Sequence, residues 1–148
     1  MKTCGQVMTR EPKSCLSNES AQQAAQMMKR EDVGSIPVVQ DQQSKKLVGI
    51  VTDRDLAMNV VADGRDPRTT RVQDVMTAHP ITCQENESID TAMELMARHQ
   101  VRRIPIVDSN SHLLGIVAQA DVATRSNAPR KAAETIEKIS QSEKPAFH

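Results

Sequence analysis

The sequence predicts an α/β (α+β) fold made of two tandem β-α-β-β-α repeats with pseudo-twofold symmetry. Three observations carry that prediction. Val7-Met8-Thr9 returns as Val75-Met76-Thr77, 68 residues later. Each occurrence is followed by an apolar stripe at helical spacing and then by a β-branched run with a proline inside it, Ile36-Pro37-Val38-Val39 and Ile104-Pro105-Ile106-Val107. Gly49-Ile50-Val51 then returns as Gly115-Ile116-Val117 at an offset of 66, the difference falling in the polar turn 40–46 against 108–112. Length variation belongs in turns, so the register is physically sensible. Pro12 and Pro80, Cys15 and Cys83, and Glu19-Ser20 and Glu87-Ser88 match at the first offset as well. A unit of about 50 residues buries too little surface to be secure alone. The two copies are therefore expected to share one core.

Each copy opens with a short extended piece after its proline, Lys13–Leu16 and Ile81–Gln84. A helix follows from Ser20 or Ser88. Ala21, Ala24, Ala25 and Met28 in the first copy, and Ile89, Ala92, Met93 and Met96 in the second, form the i, i+3, i+4, i+7 stripe of an amphipathic helix. Ser20 and Gln23 have capping-box spacing. Two β-branched runs joined by a polar turn come next, Ile36–Val39 with Leu47–Val51, and Ile104–Val107 with Leu113–Val117, as in a hairpin. A second helix closes each copy, Asp53–Ala62 and Gln119–Arg125. The repeats delimit domains at 7–62 and 75–126, a linker at 63–74 rich in turn residues, and a tail at 127–148 with a short helix over Lys131–Ser140. Met27, Met58, Leu95 and Met96 exceed what one small core is expected to bury, which points to a dimer.

Composition removes several function classes. The chain has 148 residues with 19 basic and 19 acidic side chains mixed along it. No basic block suggests nucleic acid, and Phe147, the only aromatic residue, leaves no stacking platform for single strands. The start of the chain has no long apolar run, so it reads as neither a signal peptide nor a membrane anchor. With no secretion signal, Cys4, Cys15 and Cys83 read as reduced thiols of a cytoplasmic protein. Cys15 and Cys83 share one strand position and read as small core residues. His79, His99 and His112 are scattered, so no metal is expected. Nor is catalysis: there is no nucleophile elbow and no phosphate loop.

The repeated order, the proline-containing strand and Gly49-Ile50-Val51-Thr52-Asp53-Arg54-Asp55 together resemble a CBS domain pair, or Bateman module, over residues 7–125. The linker Gly64-Arg65-Asp66-Pro67 and His99-Gln100-Val101-Arg102-Arg103-Ile104-Pro105 are similar to the stand-alone bacterial members of that family. The resemblance implies a non-enzymatic regulatory module that takes an adenosyl ligand (AMP, ADP, ATP or S-adenosylmethionine) in a cleft between the copies, forms a homodimer and acts on an unknown regulated protein. No cofactor, membrane or nucleic acid is implied. Carried onto this chain, Thr52 contacts phosphate and Asp55 the ribose hydroxyls, with the backbone near Ile81 on adenine and Arg102 and Arg103 near the phosphates. A carboxylate accepts two hydroxyl donors, and guanidinium suits phosphate well.

The second cleft departs from the family pattern. Ala118 stands where the threonine belongs, and Gly34 and Ser35 stand where the arginines belong, leaving Lys13, Ser35 and Asp121 as a weaker set. One competent cleft and one weak one are therefore expected. A plainer reading stands beside this one. Thr52-x-x-Asp55 is also a capping-box pattern that needs no ligand, and Arg102-Arg103 also reads as a solvated edge. The alternative function is a ligand-free scaffold acting through dimerisation and the tail.

Overall fold

A computed structural model describes residues 2–125. The tail helix expected at Lys131–Ser140 lies outside them. In chain order the elements are α1 (Cys4–Val7), β1 (Thr9–Arg10), β2 (Cys15–Leu16), α2 (Ala21–Glu31), β3 (Ser35–Val39), β4 (Leu47–Thr52), α3 (Asp53–Leu56), β5 (Thr77–Ala78), β6 (Cys83–Gln84), α4 (Ile89–His99), β7 (Arg103–Val107), β8 (Leu113–Ala118) and α5 (Gln119–Arg125). A π turn at Ala57–Val61 continues α3, and a 3-10 turn spans Val72–Asp74.

The chain divides into two compact units that are not continuous in sequence. One, the unit of the second copy, comprises residues 2–12, 81–109 and 114–125. The other, the unit of the first copy, comprises 13–80 and 110–113. The repeat-based limits, 7–62 and 75–126, follow the recurrence in sequence. The compact units follow the sheets instead. In the first-copy unit the strand order is β2-β3-β4-β5, with β5 drawn from the segment leading into the second copy. In the second-copy unit it is β1-β8-β7-β6, with β1 drawn from the segment leading into the first. Thr77 pairs with Ile50, and Thr9 pairs with Ile116, both antiparallel. The leading segments are thus exchanged.

The hairpin register matches the apolar pattern. Ile36 faces Val51 and Pro37 faces Ile50, with a bulge between Val38 and Val39. Each unit has its own core instead of the single shared core expected. Met28, Ile36, Val38, Val51 and Val72 belong to one, and Met93, Met96, Ile104, Ile106 and Val117 to the other. The helix stripes fall on these cores, except that Ala25 is exposed. An 11-residue helix on a small sheet buries a narrow face, and Ala21, Ala24 and Met28 already fill it. Of the four residues offered for a dimer, Met96 is fully buried and Met27 and Leu95 pack partly buried on their own cores. Only Met58 stays exposed, joined by Val61. The helix expected over Asp53–Ala62 is α-helical only to Leu56. Beyond it the spacing widens, Ala62 N donating to Ala57 O, and Val60 turns into the core.

The local backbone repeats as faithfully as the sequence. Positive φ occurs at Glu11 and His79, at Asp32 and Gln100, and at Lys45 and Ser111, each pair at an equivalent position. Asp32 and Gln100 are the left-handed residues that end α2 and α4.

Candidate functional site

In each unit the first hairpin strand begins beside the end of the second, where the following helix starts. In the first-copy unit Ser35 pairs with Thr52 across β3 and β4, and Asp53 N donates to Gly34 O at 2.9 Å. In the second-copy unit the equivalent bond runs from Gln119 N to Arg102 O at 3.0 Å. Within the units, therefore, Ser35 adjoins Thr52, while Arg102 meets the start of α5 at Gln119. The expected cleft sets drew Thr52 and Asp55 with Arg102 and Arg103 from different copies; inside one unit the neighbours are these.

Thr52 and Asp55 form a reciprocal pair. Asp55 N donates to Thr52 Oγ1 at 3.0 Å, and Thr52 N donates to Asp55 Oδ2 at 2.9 Å. Both side chains are half-buried. Asp55 spends Oδ2 on the cap, and Oδ1 has no hydrogen bond among the described residues. Ser35 Oγ, buried next to this corner, also lacks a partner among the described residues. A buried hydroxyl without a partner is costly, so this corner suits a small polar ligand or a water. Space at Gly34 is tight: a Cβ there would stand 3.1 Å from the exposed Asp53 carboxylate, which would have to shift slightly.

The matching corner of the second-copy unit keeps half of the cap. Ala118 N donates to Asp121 Oδ2 at 3.3 Å, but Ala118 returns no acceptor. Gln119 Oε1 is buried and unpartnered among the described residues. Arg103 is half-buried and Arg102 exposed. Ile81 packs partly buried against the core, while Lys13 is exposed. Sequence reasoning passed over Gln119 and Gly34. The first carried no motif signal, and the second was noted only as the place of a missing arginine.

Two sheets, each built from a β-α-β-β-α repeat with an exchanged leading strand, define a tandem CBS pair. The CBS domain family matches residues 4–62 and 72–127, and the chain belongs to that family. It is 39% identical over 140 residues to the CBS domain-containing protein YhcV of Bacillus subtilis, covering 95% of this chain and 96% of that one. It is 36% identical over 106 residues to Hypoxic response protein 1 of Mycobacterium tuberculosis, covering 72% of each. The structure of Hypoxic Response Protein I with two coordinated zinc ions is similar at a TM-score of 0.76 and 31% identity, over 84% of this chain and 98% of that one. The CBS domain pair of protein MJ0100, in complex with 5-methylthioadenosine and S-adenosyl-L-methionine, is similar at a TM-score of 0.73 and 27% identity, over 84% of this chain and 94% of that one. The zinc ions belong to that other protein. Among the described residues of this chain, no three His, Cys, Asp or Glu side chains gather where they could hold a metal. No helix among them is long and apolar enough to cross a membrane.

Proposed function

We propose that the chain is a non-enzymatic regulatory module that binds an adenosyl compound and passes its occupancy to a partner protein. The observation that carries this reading is the corner at Thr52 and Asp55, where a half-buried carboxylate keeps Oδ1 unused and Ser35, the strand partner of Thr52, has an unpartnered Oγ. A ribose presents two adjacent hydroxyl donors, which suit such a carboxylate. The adenosyl ligands of the MJ0100 domain pair support the ligand class. Asp55 takes the ribose, and Thr52, Arg102 and Arg103 take phosphate, with adenine against the backbone near Ile81. Lys13, Ser35 and Asp121 form the weaker second set. The arginines favour AMP, ADP or ATP over the cationic S-adenosylmethionine. A homodimer is part of the reading, and Met58 and Val61, exposed at 51% and 76%, are the apolar surface that supports it.

Titration calorimetry of the full chain with AMP, ADP, ATP and S-adenosylmethionine tests the proposal. Binding of a phosphorylated adenosine, weakened at least tenfold by Asp55→Asn and by the double change of Arg102 and Arg103 to Gln, is the expected result. If none of the four binds, the sensor reading fails for this class. If Asp121→Asn weakens binding and Asp55→Asn does not, the arginines serve the carboxylate of their own unit and the site assignment is wrong.

A further inference from the structure

Cys4 and Cys83 lie together in the core of the second-copy unit, both essentially inaccessible, and the Cys4 thiol donates a hydrogen bond to Ser88 O at 3.8 Å. Both are free in this structure. Cys4 sits on α1, a single turn, and Cys83 on β6. The backbone holds the two elements side by side: Cys4 N donates to Glu87 O at 2.8 Å and Gly5 N to Glu85 O at 2.9 Å. The other unit provides an internal comparison. The position equivalent to Cys83 is Cys15, and the one equivalent to Cys4 is Val72, both fully buried in that core. The same packing site thus holds two thiols in one unit, and one thiol against an aliphatic side chain in the other.

We propose that Cys4 and Cys83 are a modification site, a dithiol that closes to an intramolecular disulfide by exchange with a small-molecule disulfide such as oxidised glutathione. The Cys4 thiolate attacks one sulfur of the small disulfide, breaks its S–S bond and expels one small thiolate. The Cys83 thiolate then attacks the Cys4 sulfur of the mixed disulfide and expels the second. Two cysteine thiols and one small disulfide become one protein disulfide and two small thiols, with the two protons leaving on the products. The neighbouring Cys83 thiol favours the Cys4 thiolate and holds the Cys4 thiol below its ordinary range, whereas Cys83 is pushed up by its closeness to Cys4 and by burial. Cys4 is therefore the first nucleophile.

Access comes from the N-terminal segment. It is held by one helical turn, the Thr3–Ser88 bridge, the backbone bonds of Cys4 and Gly5 to Glu87 and Glu85, those joining Lys2 to Ile89 and Glu11 to Leu114, and the two-residue pairing of β1 with β8, with no long strand among them. So short an attachment opens locally more easily than the sheet does. Once formed, the bond staples the exchanged leading segment to the unit whose sheet it completes. The first-copy unit has no such lock, because Val72 cannot oxidise.

The test equilibrates the native full chain in glutathione buffers of rising oxidised fraction, followed by alkylation, non-reducing gel separation and peptide mapping. The expected result is loss of two of the three thiols from a monomeric band, a Cys4–Cys83 linked peptide, and a melting temperature several degrees higher than that of the reduced chain. Cys4→Val, which installs the residue found at the equivalent position, should abolish the linked peptide, and Cys15→Ala should leave it intact. The wild-type mapping decides the matter without either variant. A chain that keeps all three thiols in oxidising buffer, or a bond that uses Cys15, joins two chains or forms only after denaturation, overturns the proposal.

Discussion

Thr52 and Asp55 are locked to each other by two hydrogen bonds of opposite direction, 3.0 and 2.9 Å long, across the junction of β4 and α3. The pair therefore has a structural role whether or not a ligand arrives. Loss of such a cap costs about 1 kcal/mol. Asp55→Ala should lower the melting temperature by several degrees in ligand-free protein, read by circular dichroism because the chain has no Trp or Tyr. Asp55→Asn retains an acceptor for Thr52 N and should stay close to wild type in stability while losing the ligand. If Asp55→Asn retains full ligand affinity, capping accounts for the whole role of this residue.

Ala118 is the natural deletion of that cap. Asp121 already accepts from Ala118 N at 3.3 Å, and only the returning hydroxyl is missing. Ala118→Thr should therefore stabilise the chain by about 0.5–1 kcal/mol. Chemical denaturation of the single variant checks this, and no gain, or a loss, would mean that the corner cannot seat the side chain.

Gly49 lies where β5 crosses β4. A Cβ there would stand 2.6 Å from Met76 Sδ and 2.9 Å from Thr77 O. The sulfur can swing away, but the carbonyl belongs to the paired strand. Gly49→Ala should cost about 1–3 kcal/mol, and Gly115→Ala, which meets Met8 Sδ and Thr9 O in the same way, should cost as much. Hydrogen exchange should show the loss concentrated at Thr77 and Ala78 in the first case and at Thr9 and Arg10 in the second.

Cys15 shapes the alkaline limit of the fold. Burial, helped by the nearby Glu19 carboxylate, pushes its thiol from 9.0 up to about 12. A raised folded-state pKa means that stability is complete below about pH 9 and falls as pH rises toward 12, because the unfolded thiol ionises first. Cys15→Ala should flatten that decline relative to wild type, in denaturation curves collected between pH 8 and 11. Equal slopes for the two proteins would show that Cys15 does not titrate late.

The candidate site was legible only in part. Thr52 and Asp55 announced themselves by spacing, since a capping box is a local pattern that four residues specify. Ser35 was noted only as a substitute for arginine. Its nearness to Thr52 depends on hairpin register, and its unpartnered hydroxyl depends on burial. The Cys4–Cys83 pair escaped notice because repeat comparison records matches, and Cys4 aligns with a valine.

The sequence by itself determined the two repeats, the helices that begin after Ser20 and Ser88, the hairpins, and the family they make. Those features rest on local periodicity and caps, which neighbouring residues encode. Only the tertiary structure decided which unit each leading segment joins. A two-residue strand such as β1 or β5 has no period to read. Its partner is chosen by free hydrogen-bonding groups at a sheet edge and by room beside Gly49 or Gly115, neither of which is written near it in the chain. That exchange is what sets Cys4 against Cys83 and Val72 against Cys15.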